Sequence, residues 1–347
     1  MRIAKAFLFL VTAVAAVMLT AAEDYSFYFL SDTHLGEASS FDMSELNPFR
    51  TKKDIYRADT YSGTFDAMFR NMAERKGSEV KMILSGGDLI EGGSYDAATH
   101  GATLQRAIDR ICGITGLPLM LTNGNHDDWG KGGPEAFMRV TKAHLAKQPI
   151  PVKMDPRPGL NYTFEMGGDL YIVCDYHTKD SPWIWYMLEE LKKESAGKYR
   201  YVFLLTHPAL VCGGPSTEMV VDAASRYKSI FLCGHSHRTM ILKYQGQQGM
   251  VSELMVGSMV SGNNPYRDPV TGPGAFWKDF LKRNAHVKSP KAKENIAFIE
   301  REGEHRLRDY FEIFGNGYAR VDVSDKGVTV SLQSAELSQE PIVRSLY

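Results

Sequence analysis

Five short apolar runs in this chain end on residue types that bind metals, and that recurrence constrains the fold more than any other feature. Tyr25 to Leu30 runs into Asp32-Thr33-His34, Val80 to Leu84 into Gly86-Gly87-Asp88, and Leu117 to Leu121 into Asn123-Gly124-Asn125-His126-Asp127. Tyr201 to Leu205 leads to His207, and Ser229 to Cys233 leads to Gly234-His235-Ser236-His237. Runs of this kind read as buried strands of a largely parallel sheet. In open α/β sheets, ligands gather just beyond the carboxyl ends of such strands. The pattern predicts an α/β fold in which five strand ends converge on one site.

Each strand end carries chemistry suited to that site. An Asp and a His two residues apart on a turn, as at Asp32 and His34, can face one ion. Asp88 has a carboxylate able to place one oxygen on each of two metals, and the glycines before it allow close backbone approach. Asn125 offers a neutral amide oxygen. His235 and His237, separated by one residue, can face two different ions. His126 is the candidate general acid, with Asp127 as its orienting partner, because a departing alkoxide needs a proton donor within hydrogen-bond reach.

At these residues the chain resembles the calcineurin-like metallophosphoesterases, whose blocks run D-x-H, G-D, G-N-H-(D/E), a lone His and G-H-x-H. All five occur here in order, over roughly residues 25 to 260. The resemblance implies a four-layer α/β/β/α sandwich with two mixed sheets. It also implies two ions, one held by Asp32, His34, Asp88 and His237, the other by Asp88, Asn125, His207 and His235. Hydrolysis of a phosphomonoester or phosphodiester would then proceed by in-line attack of a hydroxide held between them. This N/O ligand set suits Mn, Fe or Zn better than Mg or Ca. Glu91 stands where the purple acid phosphatases carry a ligating Tyr, which disfavours that sub-family. The competing readings are an inert binding or sensory protein on the same fold, and a nuclease.

Residues 1–22 have the layout of a secretory signal: Arg2 and Lys5, an apolar Ala6 to Leu19, then Thr20-Ala21-Ala22. The expectation is a secreted or periplasmic protein, residues 23–347, with no stable membrane anchor after cleavage. Without Arg2 and Lys5 the 40 basic residues become 38 against 41 acidic ones, a formal charge near −3. So balanced a chain gives no electrostatic case for nucleic acid, and the expected partner is a small phosphate ester. The four cysteines, two of them at strand ends, read as free thiols in a core.

Elsewhere, Phe65, Met68, Phe69 and Met72 show helical spacing, as do Leu104, Ile108 and Ile111, a helix expected to stop near Gly113 or Gly116. Gly167-Gly168 and Asp325-Lys326-Gly327 mark hairpins. Residues 36–62 and 130–158 read as rim segments. Asp175 and His177 match no block and are expected on the rim as well. Residues 261–310 suggest a cap or insertion, with Lys278, Lys282, Arg283, Lys288, Lys291 and Lys293 read as a solvated face in preference to a phosphate-binding one.

Overall fold

A computed structural model describes residues 22–35, 65–92, 96–176, 183–257 and 265–347. Residues 1–21 of the expected signal sequence, the loop 36–62 and His177 lie outside the described residues. Three parallel strands, β1 (Tyr25–Leu30), β2 (Val80–Ser85) and β3 (Leu119–Leu121), form one half of a six-stranded sheet. Its other half is antiparallel: β13 (Gly317–Ser324), β14 (Gly327–Ser334) and β15 (Ile342–Ser345), with β13 pairing β1. The second sheet has nine strands. Its parallel centre is β6 (Asp169–Val173), β7 (Val202–Leu205), β8 (Ser229–Cys233) and β10 (Met250–Met255). Antiparallel β5 (Tyr162–Met166) and β4 (Val152–Met154) flank it on one side, and β9 (Thr239–Gln245), β12 (Leu307–Phe314) and β11 (Arg267–Thr271) on the other. Both sheets are mixed, as the four-layer sandwich requires.

Strand alternation sorts β1 onto two cores. Phe27 points to the nine-stranded sheet, where its ring meets Tyr171 and Phe203 edge to face at 5.9 and 5.5 Å. Edge-to-face pairs of this sort each add about 0.5–1.5 kcal/mol beyond the area they bury. Tyr28 points the other way and donates through its hydroxyl to the carbonyl of Met72 in helix α1 (65–75), at 3.0 Å. Helix α2 (Ala97–Thr115) starts at Asp96, whose side chain accepts the Thr99 N–H, and ends at Gly116 with φ 64°. Gly113 stays inside the helix, so the stop falls at the later of the two expected glycines.

The outer face of the nine-stranded sheet is covered by α4 (Trp183–Lys192), α5 (Pro215–Ala224), α6 (Pro273–Asn284) and α7 (Pro290–Gly303), while α3 (Gly133–Leu145) packs beside α2. The described part of the segment expected as a cap is therefore built into this architecture. Phe276, Trp277, Phe280 and Ile299 join the outer core, β11 extends the sheet, and all six basic side chains named above are exposed. The four cysteines are free thiols, with Cys174 and Cys233 buried. Asp175 is not on the rim. Its carboxylate is buried and accepts the Leu160 N–H at 3.0 Å, a role dictated by backbone left unpaired where β5 begins.

Candidate metal centre

The ends of β1, β2, β3, β7 and β8 lie together, and their loops bend sharply. Seven non-glycine residues among the described ones have positive φ, and five of them are Asp32, His34, Asp88, His235 and His237. Left-handed backbone costs roughly 1–2 kcal/mol for an ordinary residue, and strain of this kind clusters where function demands it. Close approach also needs missing side chains. A Cβ on Gly124 would sit 2.2 Å from Asp88 Oδ1, and one on Gly234 would sit 2.3 Å from Asp32 Oδ2.

Asp32, His34, Asp88 and His237 present ligand atoms that all lie within 4.8 Å of one another. His34 Nδ1 is held by Glu91 Oε2 at 2.6 Å, while its Nε2 is buried, 3.7 Å from Asp88 Oδ2, and has no hydrogen-bond partner. Beside this group, His207 Nε2 lies 3.3 Å from Asp88 Oδ2, 3.2 Å from Asn125 Oδ1 and 3.2 Å from His235 Nδ1, and the last two are 2.9 Å apart. His207 Nδ1 faces the Gly86 carbonyl at 2.8 Å, which places a ring proton on that nitrogen and turns Nε2 toward Asp88 and Asn125. Asp88 Oδ2 and Asn125 Oδ1 thus both lie against His207 Nε2. Ligands about 2.0–2.2 Å from an ion have edges of roughly 3.0 Å in an octahedron and 3.4 Å in a tetrahedron, so these separations fit a metal. The donor set, carboxylate, imidazole and amide, fits one too.

The surrounding charges are consistent with that use. Burial alone would raise the Asp88 pKa, but His207, His34 and His126 hold its carboxyl well below the usual range. Against its own burial, His207 is pushed up to about 9 by Asp88 and Asp32. Asp32 accepts the His235 N–H on both oxygens at 3.0 Å.

The model of the calcineurin-like phosphoesterase family matches residues 25–239, from the start of β1 to the start of β9, and so spans all five strand ends. The chain belongs to this family. As a calcineurin-like phosphoesterase it is a metal-dependent hydrolase of phosphoric esters. No curated protein matches the sequence. Among solved structures it is similar to PhoD, at 13% identity over 93% of this chain and 68% of that one, with a TM-score of 0.48. It is also similar to GAP50, described as the anchor in the inner membrane complex of Plasmodium, at 12% identity over 93% and 88%, with a TM-score of 0.47. A third is the calcineurin-like phosphoesterase YfkN from Bacillus subtilis, at 10% identity over 93% and 91%, with a TM-score of 0.40.

Within this phosphoesterase, the two residues expected to handle protons separate. The Asp127 carboxylate is fully buried and accepts the backbone N–H groups of Ile90 and Gly124 at 3.0 and 2.9 Å. Burial and the Asp88 charge push its pKa up. It braces the loop, and the carboxylate facing the His126 ring is Glu91, whose Oε1 lies 3.2 Å from Nδ1. Glu91 therefore stands between His34 and His126, whose rings are 4.5 Å apart. In the sequence, Glu91 is marked only by standing where the purple acid phosphatases carry a tyrosine. Its place three residues after Asp88, on the same strand-end turn, was the signal that it faces the site.

Proposed function

We propose that this phosphoesterase works with two transition-metal ions, Mn, Fe or Zn, and is exported. What supports the two-ion reading is the convergence of Asp88 Oδ2, Asn125 Oδ1 and His207 Nε2 beside a second set that contains the orphaned His34 Nε2. His207 would give up its Nε2 proton to an ion bound there and be joined through it to Asp88 Oδ2 and Asn125 Oδ1, since metal binding to imidazole releases a proton. Asp88 belongs to both sets and is the shared ligand. When bound, the ions supply Lewis acidity toward phosphate oxygens and lower the pKa of water.

The protein's own groups do the rest. Glu91 fixes His34 through Nδ1, which keeps Nε2 turned to the ligand set, the arrangement by which outer carboxylates orient metal-binding imidazoles. Its other oxygen faces His126 Nδ1 and holds the ring so that the Nε2–H of the imidazolium is the proton passed to the departing oxygen, leaving a neutral ring. The His126 backbone N–H donates to Asp88 Oδ1 at 2.7 Å, so the acid and the shared ligand are set by one contact. Asp127, accepting one N–H from each, ties together the two loops that carry them.

A small phosphate ester is the proposed substrate, and the near-neutral chain favours neither a nucleic-acid groove nor an anionic surface. No helix among the described residues is long and apolar enough to cross a membrane. Elemental analysis of purified protein tests the metal reading, with two ions per chain expected and none after reconstitution refuting it. N-terminal sequencing of protein from the producing cell tests export: a start near Glu23 is expected, and an intact Met1 refutes cleavage.

A further inference from the structure

The loop carrying His235 and His237 must pass from β8 to β9, two strands separated in the sheet by β10. It does so in Gly234 to Arg238, with φ 68° at His235 and 55° at His237. The first half is anchored by Gly234 N–H on the His207 carbonyl at 2.8 Å and by His235 N–H on Asp32. The second half ends on Arg238, the residue next to His237. Its Nε and one terminal nitrogen grip both oxygens of the Glu312 carboxylate on β12, and that terminal nitrogen also lies 3.0 Å from Asp279 Oδ2 on α6. Glu312 is 2% exposed and also accepts from the Tyr310 hydroxyl. Asp279 is paired in turn with Arg283 at 2.8 Å. Both carboxylates belong to chain beyond residue 239, outside the family match.

We propose that Arg238 is a positioning residue: clamped by Glu312 and Asp279, it holds the strained loop so that His237 stays in the ligand set. The segment containing α6 and β12 is thereby made part of the metal centre's support. This inference rests on the two-metal reading given above. A planar guanidinium fork bound at two points fixes direction as well as charge, which a lysine cannot do. Outer partners of metal ligands commonly carry 10–100-fold in metal affinity.

The test measures Mn²⁺ or Zn²⁺ affinity of the whole chain by competition with a chromophoric chelator at fixed pH. Two variants are compared with wild type: Arg238→Lys, and Arg238→Met combined with Glu312→Leu, since replacing a whole buried ion pair by apolar groups often leaves stability intact. Arg306→Lys is the control, because Arg306 makes a similar paired network with Glu218 and Asp222 away from the ligands. In both Arg238 variants one of the two binding steps is expected to weaken by about 10–100-fold, with Arg306→Lys binding as wild type does. Should the double variant not fold, Arg238→Lys decides on the same criterion. Unchanged binding in the Arg238 variants, or an equal loss in Arg306→Lys, overturns the clamp. A wild type that binds no metal instead refutes the two-metal reading.

Discussion

Two buried polar clusters in this protein have opposite bookkeeping. Asp169, at the start of β6, is wholly buried, yet every contact offered to it is a donor: Arg200 through Nη2 at 2.8 Å, the Tyr25 hydroxyl at 3.0 Å and the Tyr201 N–H at 2.9 Å. At the opposite ends of the parallel strands, Asp88 accepts the His126 backbone N–H on Oδ1 while its Oδ2 faces the His207 and His34 imidazoles, and His34 Nε2, 3.7 Å away, has no hydrogen-bond partner. The first cluster is complete and holds the N-terminal strand to the second sheet. The second leaves ligand atoms open, as a metal-binding group does. A buried group without its partner costs of order 1–3 kcal/mol, so an incomplete cluster on a strained backbone marks a place kept for binding.

The largest effects should come from interchanging these expectations. Asp88→Asn should reduce phosphoesterase activity to the background of chelated enzyme and lower the metal content, whereas Asp169→Asn should lower the thermal midpoint and leave metal content at the wild-type level. Equal metal loss in both would erase the distinction between the clusters. Next, His126→Ala should keep its metals and lose about 10²- to 10⁴-fold in rate on esters with poor leaving groups. The loss should be much smaller on nitrophenyl esters, whose phenolate departs unaided. Glu91→Gln should follow the same leaving-group pattern and, because Glu91 also holds His34, weaken metal binding by about 10–100-fold.

Metal addition provides a further contrast. At a free concentration 100 times the dissociation constant, an ion that binds only folded protein adds about 2.7 kcal/mol of stability. Wild type should show that rise in thermal midpoint, and Asp88→Asn should not. The smallest effect tests a buried carboxylate outside both clusters. Glu253 on β10 accepts the Leu210 and Val211 N–H groups, yet burial pushes its pKa up to about 7. Because the folded form holds this proton more tightly than the unfolded chain, the stability it contributes is full below about pH 4.5 and lost as pH rises through 7. Glu253→Gln should flatten the stability profile over that window, as read from urea midpoints between pH 4.5 and 8.

Much of this centre could be read before any coordinates. Asp32, His34, Asp88, Asn125, His207, His235 and His237 announce themselves because each follows directly on an apolar run, and strand termini are short-range features. Glu91 and Asp175 were misjudged for the complementary reason. Whether a carboxylate faces an imidazole, an N–H or water depends on neighbours 15 or more residues away, such as His34 and His126 for Glu91 and Leu160 for Asp175. The exchange of Asp127 for Glu91 at His126 has the same origin: adjacency in sequence does not put two side chains on one side of a loop.

By itself the sequence determined the α/β class and the seven side chains gathered at five strand ends, since hydrophobic periodicity and turn chemistry are local properties, while the two mixed sheets followed from the family resemblance those motifs carry. Only the tertiary structure decided which carboxylate serves which histidine, and that residues beyond 265 extend the sheet and grip Arg238. Those outcomes depend on contacts such as Arg238 with Glu312, 74 residues apart, and the geometry of such contacts exists only once the sheets have packed.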